Sequence, residues 1–415
     1  MASFIVIGGG LIGAASALRL QQAGFEVTLV DPGADRRGAS FGNAGHIAVE
    51  QAEPLASPAT VRGAAGMLFG LGGPLDFRWR DVDAWLPWAM KYLKASSAER
   101  FAAGTEALSS LTADAVPAWR RLMGDVGRPD LLREDGHAVL WLDDREAARG
   151  REAWAQANTG PARFRDMTRE ELEPYRSLMP ARSPVAGLRF EGTARLRSPC
   201  AARLAILAAF ERGGGRLVRQ AAAGLDGVGG IDLADGRRLS GDHVLIAAGV
   251  WSGPLMRRLG LSVPLIAERG YSIQTPAPAW PDDLPTAVIE ALSLVLAPHL
   301  EGLRCTSHVE FGRAEAPPDR RKWARIESQV RSLGLPVTPD AQRWMGPRPT
   351  LPDYLPAIGR LEDRPNVFYA FGHQHLGVTL AAVTAERVRN VALRPAESER
   401  AFRLERFSTS RGITT

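Results

Sequence analysis

Cysteine, lysine and long hydrophobic runs are all scarce in this sequence of 415 residues. Its two cysteines, Cys200 and Cys305, are too few for a disulfide framework or a zinc site, and they suit a reducing compartment. No segment reaches the roughly 18 apolar residues of a membrane-spanning helix. The first apolar run, at Phe4, leads directly into glycines, so we expect no signal peptide. These features predict a cytoplasmic protein without a metal site and with at most peripheral contact to the inner face of a membrane.

The charge balance is mildly basic, at 51 Lys plus Arg against 46 Asp plus Glu. Only three of these cations are lysines, namely Lys91, Lys94 and Lys322, and the arginines are scattered along the chain. A nucleic-acid partner would need a clustered basic patch, so this class of partner is excluded. Apolar residues make up 45% and charged residues 23%, which also excludes a disordered or fibrous chain.

The start of the chain contains a nucleotide-binding pattern. Ser3–Ile7 predicts a buried strand, the glycine-rich segment Gly8–Gly13 fits G-x-G-x-x-G, and Ala14–Ala23 predicts a helix. A second strand is predicted over Phe25–Val30, and Asp31 stands at its end. This order of strand, glycine turn, helix, strand and acid is typical of a dinucleotide site, but it leaves FAD and NAD open.

Each of these residues has a physical role in such a site. Gly8 permits a tight turn, Gly10 lets the backbone approach a pyrophosphate, and Gly13 lets the helix pack on the strand. The helix N-terminus, at Leu11 and Ile12, offers free N–H groups to that anion. Asp31 is placed to accept hydrogen bonds from ribose hydroxyls.

Four further segments resemble one family, and they occur in that family's order. They are Ala39-Ser40-Phe41-Gly42-Asn43-Ala44-Gly45-His46, then 244–253 with its turn Ala247-Ala248-Gly249, then Gly346-Pro347-Arg348-Pro349, and then 372–380, which begins Gly372-His373-Gln374-His375. The family is that of the FAD-dependent D-amino acid oxidoreductases, which includes glycine oxidase, sarcosine oxidase and bacterial D-amino acid dehydrogenase. The resemblance implies an α/β fold with a discontinuous, Rossmann-like FAD-binding domain and an α+β substrate domain built on a mainly antiparallel sheet. We place the FAD-binding domain at 1–60, 192–262 and 342–415, and the substrate domain at 61–191 and 263–341.

The resemblance implies non-covalent FAD, because neither cysteine matches the one that carries covalent flavin in sarcosine oxidase. The residues expected to hold FAD belong to the segments above, apart from Ala223, which lies elsewhere in the predicted FAD-binding domain. They are Gly8, Gly10, Leu11, Ile12, Gly13, Asp31, Ala39, Ser40, Asn43, Ala44, Gly45, Ala223, Ala248, Gly249, Gly372, His373, Leu376, Gly377, Val378 and Thr379.

Four residues are the candidates for contact with substrate. Arg348 occupies the family's position for binding the substrate carboxylate, and a planar guanidinium suits that task. Tyr271, in Arg269-Gly270-Tyr271-Ser272, is expected to bond the carboxylate or to cap the pocket. His46 and His375 depart from the family's commoner residues, so they are expected to touch the substrate amine or a substrate hydroxyl. A tyrosine that glycine oxidase carries near 293–296 is absent here.

The resemblance implies hydride transfer from Cα of an amino acid to flavin N5. The ending Gly372–Gly377 resembles the branch that oxidises cis-4-hydroxy-D-proline, so a small D-amino or imino acid is the leading substrate, with a quinone or an electron carrier as acceptor. Oxidases of the family use a lysine near the flavin where this chain has Arg269, which favours a dehydrogenase. Two alternatives stay open: an oxidase of glycine or sarcosine that uses oxygen, and an FAD-bearing subunit of an electron-transfer complex.

Periodicity predicts the other elements. Helices are expected at 98–123, 145–157, 168–174, 199–212 and 320–333, and substrate-domain strands at 139–142, 188–190, 293–296 and 304–311. Strands at 216–219, 231–234 and 243–248 are expected in the FAD-binding domain. Residues 76–94 hold Trp79, Trp85, Trp88 and Tyr92 among Arg and Lys, which is compatible with a membrane surface. Packing of these aromatics into the substrate domain is the interpretation we favour.

Overall fold

The structure is a computed structural model that describes residues 1–33, 38–276 and 280–407. Helices and strands alternate along most of the chain. The helices are α1 (Leu11–Gln22), α2 (Pro58–Gly63), α3 (Val82–Ala95), α4 (Ala98–Asp125), α5 (Asp144–Gln156), α6 (Arg169–Leu178), α7 (Pro199–Arg212), α8 (Ser252–Arg258), α9 (Arg320–Ser332) and α10 (Gly377–Leu393). The strands are β1 (Ser3–Ile7), β2 (Glu26–Val30), β3 (His46–Ile47), β4 (Leu75–Phe77), β5 (Leu132–Arg133), β6 (His137–Trp141), β7 (Arg163–Asp166), β8 (Ala186–Glu191), β9 (Ala194–Leu196), β10 (Arg216–Val218), β11 (Ala222–Leu225), β12 (Gly230–Leu233), β13 (Arg238–Ser240), β14 (His243–Ile246), β15 (Ile266–Thr275), β16 (Thr286–Ile289), β17 (Leu294–His299), β18 (Gly302–Gly312), β19 (Gln342–Thr350), β20 (Ala357–Arg360) and β21 (Val367–Phe371).

A six-stranded sheet with the order β10-β2-β1-β14-β21-β20 forms the nucleotide-binding half. All of its neighbours are parallel except β20 and β21, which are antiparallel. The central strands are continuous apolar runs because both faces are covered. Helix α1 packs against α7 and α10 on one face. The carboxyl ends of β1, β2 and β14 therefore meet at one edge, where a ligand of such a sheet binds.

A second, nine-stranded sheet has the order β19-β15-β18-β17-β16-β6-β8-β7, with β4 added alongside β18. Most of its pairs are antiparallel, including the long pairs that β15 makes with β18 and β19. Helix α9 packs against β15 and β18 on one face. A short sheet, β3-β9-β5, links the two halves, and it carries His46 at its edge.

The division into domains differs from the sequence prediction at one boundary. We placed 342–415 in the FAD-binding domain, but β19 pairs with β15 along its whole length and so belongs to the nine-stranded sheet. The segment that contributes to the six-stranded sheet begins only at β20. The cause is tertiary, since β19 is an ordinary strand by composition and only its pairing partner decides its sheet. The predicted boundary at 192 lies between β8 and β9.

One large apolar cluster spans both halves. It joins residues of β1, α1 and α10 to residues of α4, β6 and β8, while a separate cluster lies between the nine-stranded sheet and helices α6 and α9. The two halves are therefore held together by shared core packing. Among the residues that the structure describes, no helix is long and apolar enough to cross a bilayer.

Candidate active site

The glycine-rich turn has the geometry that the sequence predicts. Gly8 has φ +106°, and a Cβ there would lie 2.5 Å from the carbonyl oxygen of Ala247 at the end of β14. A Cβ at Gly13 would lie 1.8 Å from the carbonyl oxygen of Gly8, so only glycine lets α1 approach the turn. Apart from Gly10 and its two chain neighbours, no atom of the described residues lies within 4 Å of the Cβ position at Gly10, which leaves open space in front of the helix N-terminus. The turn is therefore a cradle that an anion can enter.

Asp31 lies against this turn. Its carboxylate accepts hydrogen bonds from the backbone N–H of Gly9 at 2.7 Å and of Gly33 at 2.9 Å. Arg203, on α7, donates from Nε to the carbonyl oxygen of Gly9, and its Nη2 lies 3.5 Å from Asp31 Oδ1. Arg203 is a residue of this site that carries no sequence signal, because it stands within an ordinary helix.

The dinucleotide site has the features that the pyrophosphate of FAD requires, namely no acidic side chain at the start of α1 and backbone N–H groups available to donate. Helix α1 has no acidic residue in its first turn and no side-chain cap from the part of the chain that the structure describes. By helix geometry the N–H groups of Leu11, Ile12 and Gly13 have no intrahelical acceptor, so they can bind a pyrophosphate. Ala248 and Gly249 follow β14 at the same edge, and Gly249 also has open space at its Cβ position. Ala223 lies on β11 beside an irregularity in its pairing with β12.

The segment Ala39–His46, the first of the family motifs, is called the flavin-approach segment below, and side-chain hydrogen bonds anchor it. Residues 38–43 form a turn that includes Ala39 and Ser40, and Asn43 Oδ1 accepts the N–H of Gly45 at 2.8 Å. Gly45 has φ +74°, and a Cβ there would lie 2.7 Å from the carbonyl oxygen of Leu196. His299 on β17 donates from Nε2 to the carbonyl oxygen of Ala44 at 2.9 Å. The segment therefore has a defined path toward β3.

Three motifs that are distant in the sequence converge at the start of α10. Thr379 Oγ1 accepts the backbone N–H of Ala48 at 3.0 Å, which ties the flavin-approach segment to this helix. Thr350 at the end of β19 forms an antiparallel bridge with His373. The first turn of α10 consists of Gly377, Val378 and Thr379, and it contains no acidic residue. It follows Gly372, with φ +82°, and the buried Leu376. This helix N-terminus can therefore stabilise negative charge near the converging motifs.

Arg348 lies on β19 at this convergence, and a buried carboxylate holds it in place. Its Nη1 donates to Glu268 Oε1 at 3.0 Å, and the other oxygen of Glu268 accepts the hydroxyls of Thr350 at 3.0 Å and Tyr354 at 3.3 Å. The Glu268 side chain is 3% exposed and that of Arg348 is 19% exposed. A Cβ at Gly270 would lie 2.4 Å from Arg348 Nη2, so the guanidinium lies directly over this glycine. One edge of the guanidinium is thus fixed, and its remaining N–H groups can bind a carboxylate.

His375 lies close to Arg348 and is neutral. Its Nε2 is 2.7 Å from Gln51 Oε1, and its ring centroid is 6.3 Å from that of Tyr354. Burial lowers the pKa of His375 to about 4, and the charges of Glu268, Arg348 and Glu50 also act on it. His375 is therefore an uncharged hydrogen-bonding group within the same region as Arg348.

His46 forms a second polar group with residues that the sequence analysis did not identify. Its Nε2 is 3.0 Å from Glu50 Oε1, and its ring centroid is 4.6 Å from that of His137. Burial would raise the pKa of Glu50, but the two histidines lower it. His46 Nδ1 is buried and has no partner among the described residues. Ligand atoms of these three side chains lie within 4.8 Å of one another, and the hydrogen bond between His46 and Glu50 accounts for this arrangement.

His373, which the sequence analysis expects beside FAD, makes an internal hydrogen bond in the same loop. It is buried, with Nε2 2.9 Å from Thr384 Oγ1. Burial lowers the pKa of His373 to about 3, and it does the same for His299. Burial also lowers the pKa of His137 to about 3, because it outweighs the effect of nearby charges. Together with His375 these residues are called the four neutral histidines below.

Tyr271 does not lie with Arg348, in contrast to the sequence expectation. Its hydroxyl donates to Glu310 Oε2 at 2.5 Å and accepts the N–H of Asp319 at 2.9 Å. Arg269 contacts the same Glu310, whereas Glu268 contacts Arg348, so alternation along β15 puts Tyr271 and Arg348 on opposite faces. We therefore leave Tyr271 out of the proposed substrate site.

Several residues of this region were missed because their role depends on pairing between distant strands. Glu268 directly precedes the Arg269–Ser272 segment, and Tyr354 lies five residues after the Gly346–Pro349 motif, so strand alternation and motif proximity were the available signals. Glu50 and Gln51 follow the flavin-approach segment by only a few residues. Tyr354 has φ +55°, and Gln374 has φ +40° and donates from Nε2 to the Tyr354 carbonyl oxygen at 2.7 Å. Such strained backbone often marks a functional site.

Comparison with known proteins agrees with this geometry. The family model described as DAO, FAD dependent oxidoreductase, matches residues 3–390. The chain belongs to this family. It is 32% identical over 405 residues to a D-amino-acid oxidase of Bradyrhizobium diazoefficiens, with 92% of this chain and 93% of that protein covered. FAD is therefore the cofactor, and the protein is an FAD-dependent amino acid oxidoreductase.

Solved structures show the same fold. Glycine oxidase from Geobacillus kaustophilus superposes with a TM-score of 0.68 at 20% identity over 100% of both chains. L-proline dehydrogenase from P. horikoshii gives a TM-score of 0.68 at 16% identity, covering 97% of this chain and 96% of that one. The predicted α/β fold with a Rossmann-like FAD-binding part and a substrate part is thereby confirmed.

Proposed function

We propose that this family member is a dehydrogenase of a small D-amino or imino acid, of the D-proline or cis-4-hydroxy-D-proline type. FAD, when bound, supplies the hydride acceptor for the Cα–H bond at flavin N5. The chain itself must bind the carboxylate, orient Cα and hold the amine in its neutral form. The observation that carries the proposal is Arg348, which lies at the convergence of three family motifs.

Arg348 is proposed to bind the substrate carboxylate. Arg348 Nη1 donates to Glu268 at 3.0 Å, which fixes the plane of the guanidinium. The other N–H groups of the guanidinium can then donate two parallel hydrogen bonds to a carboxylate. Because Glu268 is itself held by the hydroxyls of Thr350 and Tyr354, the guanidinium cannot rotate freely. A carboxylate bound there would place Cα at a reproducible position.

His46 and His375 are proposed to act on the amine or on a substrate hydroxyl. In the neutral tautomer of His46 that donates from Nε2 to Glu50, Nδ1 carries a lone pair, and this buried atom has no partner within the described ranges of the chain. Such a nitrogen can accept a proton from a substrate ammonium group. His375 is uncharged, because burial lowers its pKa to about 4, and so it does not repel a cationic amine.

The placement of the lysines supports a dehydrogenase. Lys91 and Lys94 lie on the outer surface of α3, and Lys322 is buried in contact with Asp76 at 2.6 Å and Asp319 at 3.1 Å. Arg269, the counterpart of the lysine in related oxidases, donates to the carbonyl oxygens of Ala316 and Pro317. These cations therefore lie outside the two polar groups that are built around Arg348 with His375 and around His46. We propose a quinone or an electron carrier as the acceptor.

We propose that FAD is held non-covalently. Cys305 is buried in the core cluster between the nine-stranded sheet and α9, and burial raises the pKa of its thiol to about 12. Cys200 lies in the first turn of α7, where Ser198 caps the helix by accepting the N–H of Ala201. Neither thiol belongs to a segment assigned to the flavin.

An oxidase that reduces oxygen is the second candidate, and one observation favours it. The relative from Bradyrhizobium diazoefficiens is named a D-amino-acid oxidase. Peroxide formation separates the two candidates, because only the oxidase produces it at the rate of substrate turnover.

The test is an anaerobic screen of D-, L- and N-methyl amino acids with the purified flavoprotein. Bleaching of the flavin absorbance by small D-amino or D-imino acids, with slow peroxide formation in air and fast reduction of a dye acceptor, is the expected result. Equal rates with oxygen and dye would establish the oxidase instead. Absence of bleaching by every amino acid would contradict both enzyme candidates and would favour an FAD-bearing subunit of an electron-transfer complex.

A further inference from the structure

Helix α3 is apolar on two faces. Its inner face carries Trp85, Trp88 and Tyr92, as the sequence predicts for packing into the substrate half. Trp88 stacks on Phe311 with ring centroids 5.0 Å apart, and Trp85 Nε1 donates to the carbonyl oxygen of Arg78 at 2.9 Å. The Tyr92 ring stacks on Trp88 with centroids 5.4 Å apart, so these contacts account for the three inner aromatics.

The outer face of the same helix carries four large apolar side chains that are exposed. They are Val82 at 43%, Leu86 at 47%, Met90 at 61% and Leu93 at 50%, and we call them the outer stripe. At 100° per residue these positions lie within an arc of about 80° on one side of the helix. Trp79, which is 74% exposed, precedes the helix by three residues. Scattered exposed apolar residues need no explanation, but a continuous row on one helix does.

Basic side chains flank the outer stripe on one side: at 100° per residue Lys94 lies about 40° beyond its edge at Met90, and Lys91 lies about 100° beyond that edge. Arg80, Lys91 and Lys94 are exposed, and the Arg80 guanidinium lies 5.1 Å from the Trp79 ring centroid. The neighbouring acid Asp83 is paired with Arg313 at 2.5 Å, so its charge is compensated. Two of the three lysines in the chain therefore lie on this one helix.

This combination favours a lipid surface over a second copy of the chain. A second copy that docked on the outer stripe would press apolar side chains against Lys94, which borders the stripe, and this would cost electrostatic free energy. Anionic lipid headgroups would instead neutralise them. Exposed tryptophan is also typical of the boundary between headgroups and acyl chains.

We propose that α3 is a peripheral docking helix that inserts its outer stripe into the surface of a bilayer containing anionic phospholipid. The inserted side chains are Leu86, Met90, Leu93 and Val82, with Trp79 at the headgroup level. The long side chains of Lys94 and Lys91 would reach from the flank of the helix toward the phosphates. Docking of this kind would bring the flavoprotein to the surface where a membrane-soluble acceptor resides. The proposal rests on the surface alone and does not depend on the identity of the substrate.

The test is cosedimentation of the FAD-loaded protein with sucrose-loaded vesicles. We expect binding to vesicles of phosphatidylcholine with phosphatidylglycerol at least tenfold above binding to phosphatidylcholine alone. A rise from 0.05 to 0.5 M NaCl should weaken that binding, because salt screens the lysines. The double variant Leu86→Glu/Met90→Glu should lose it by at least tenfold, and Lys91→Gln/Lys94→Gln should lose the preference for the anionic lipid.

The matched control is Leu204→Glu/Leu393→Glu. It introduces the same charge at leucines that are 55% and 50% exposed on α7 and α10, and it should bind vesicles as the unmodified protein does. FAD content and unfolding temperature confirm that each variant is folded. Equal binding by the Leu86/Met90 variant and the control would overturn the proposal. A dimer in light scattering that only the Leu86/Met90 variant abolishes, without vesicle binding, would overturn it in favour of self-association.

Discussion

Replacing Arg348 removes two things that can be measured separately. One is the proposed partner of the substrate carboxylate, and the other is the cation that compensates the buried carboxylate of Glu268, 3.0 Å away. A single Arg348→Ala variant confounds the two losses. The double variant Arg348→Ala/Glu268→Gln separates them, because it also removes the negative charge that the first substitution leaves unpaired.

The structural loss can be estimated from the surroundings of Glu268. Breaking a buried ion pair costs about 3–5 kcal/mol when one charge is left alone. Arg348 is 19% exposed, and Glu268 keeps the hydroxyl groups of Thr350 and Tyr354. We therefore expect Arg348→Ala to lower the free energy of unfolding by about 2–3 kcal/mol, below the full cost. The double variant should recover most of this loss, since a neutral amide can bond both hydroxyls.

The catalytic loss should follow a different pattern. A substrate carboxylate that enters the site without Arg348 loses its charged partner, which costs about 3–5 kcal/mol, or roughly 10²–10⁴-fold in kcat/KM. The double variant should show the same loss, because the neutral amide that it introduces beside the site cannot replace a cation. Arg348→Lys keeps the charge beside Glu268, so it should be stable, but it loses the planar pair of donors and should still turn over poorly.

The assay combines kcat/KM with a dye acceptor, urea unfolding and FAD content for the three variants. FAD content should stay normal in all of them, because Arg348 is assigned to substrate. The reasoning is refuted if the double variant recovers kcat/KM to within tenfold of the unmodified enzyme. Arg348 would then serve only to compensate Glu268. Loss of FAD from Arg348→Lys would instead assign the residue to the cofactor.

Three further predictions concern the cofactor, the glycine beneath Arg348 and pH. Asp31→Ala should weaken FAD binding by about 1–3 kcal/mol, because the acceptors for the ribose hydroxyls and the contacts to the glycine turn are lost, while Asp31→Asn should lose less. Flavin fluorescence on titration of the apoprotein measures the affinity, and an unchanged affinity would contradict the assignment of Asp31. Gly270→Ala should displace the Arg348 guanidinium, because Nη2 lies 2.4 Å from the Cβ position of Gly270. This variant should lower kcat/KM with FAD content unchanged. Normal kinetics would mean that the guanidinium lies elsewhere. The four neutral histidines have folded-state pKa values of about 3 to 4, below the ordinary 6.5, so the unfolded chain takes up protons first as the pH falls. The urea midpoint of unfolding should therefore be constant above pH 7 and should fall from pH 6.5 to pH 4. The fall should be less steep in His299→Asn. A midpoint independent of pH in that window would show that these histidines are protonated in the folded protein.

Local sequence was sufficient where neighbouring residues alone determine the structure. β1 begins and ends as predicted, and α7 does so too because Ser198 and Pro199 specify its start and Gly213 its end. The glycines at 8 and 13 are required by contacts within one strand–turn–helix unit. The family resemblance then extended this local information to FAD and to amino acid oxidation, because its motifs occur in order along the chain.

Tertiary structure alone decided what surrounds Arg348. The strand β19 could have joined either sheet by its composition, and only its pairing with β15 brings Glu268 beside Arg348 and sends Tyr271 to the opposite face. Side chains alternate between the faces of a strand, so register determines which residues share a site, and register depends on partners about 80 residues apart. The sequence by itself determined the nucleotide cradle and the family, while pairing between distant strands determined which polar groups lie beside Arg348 in the proposed substrate site.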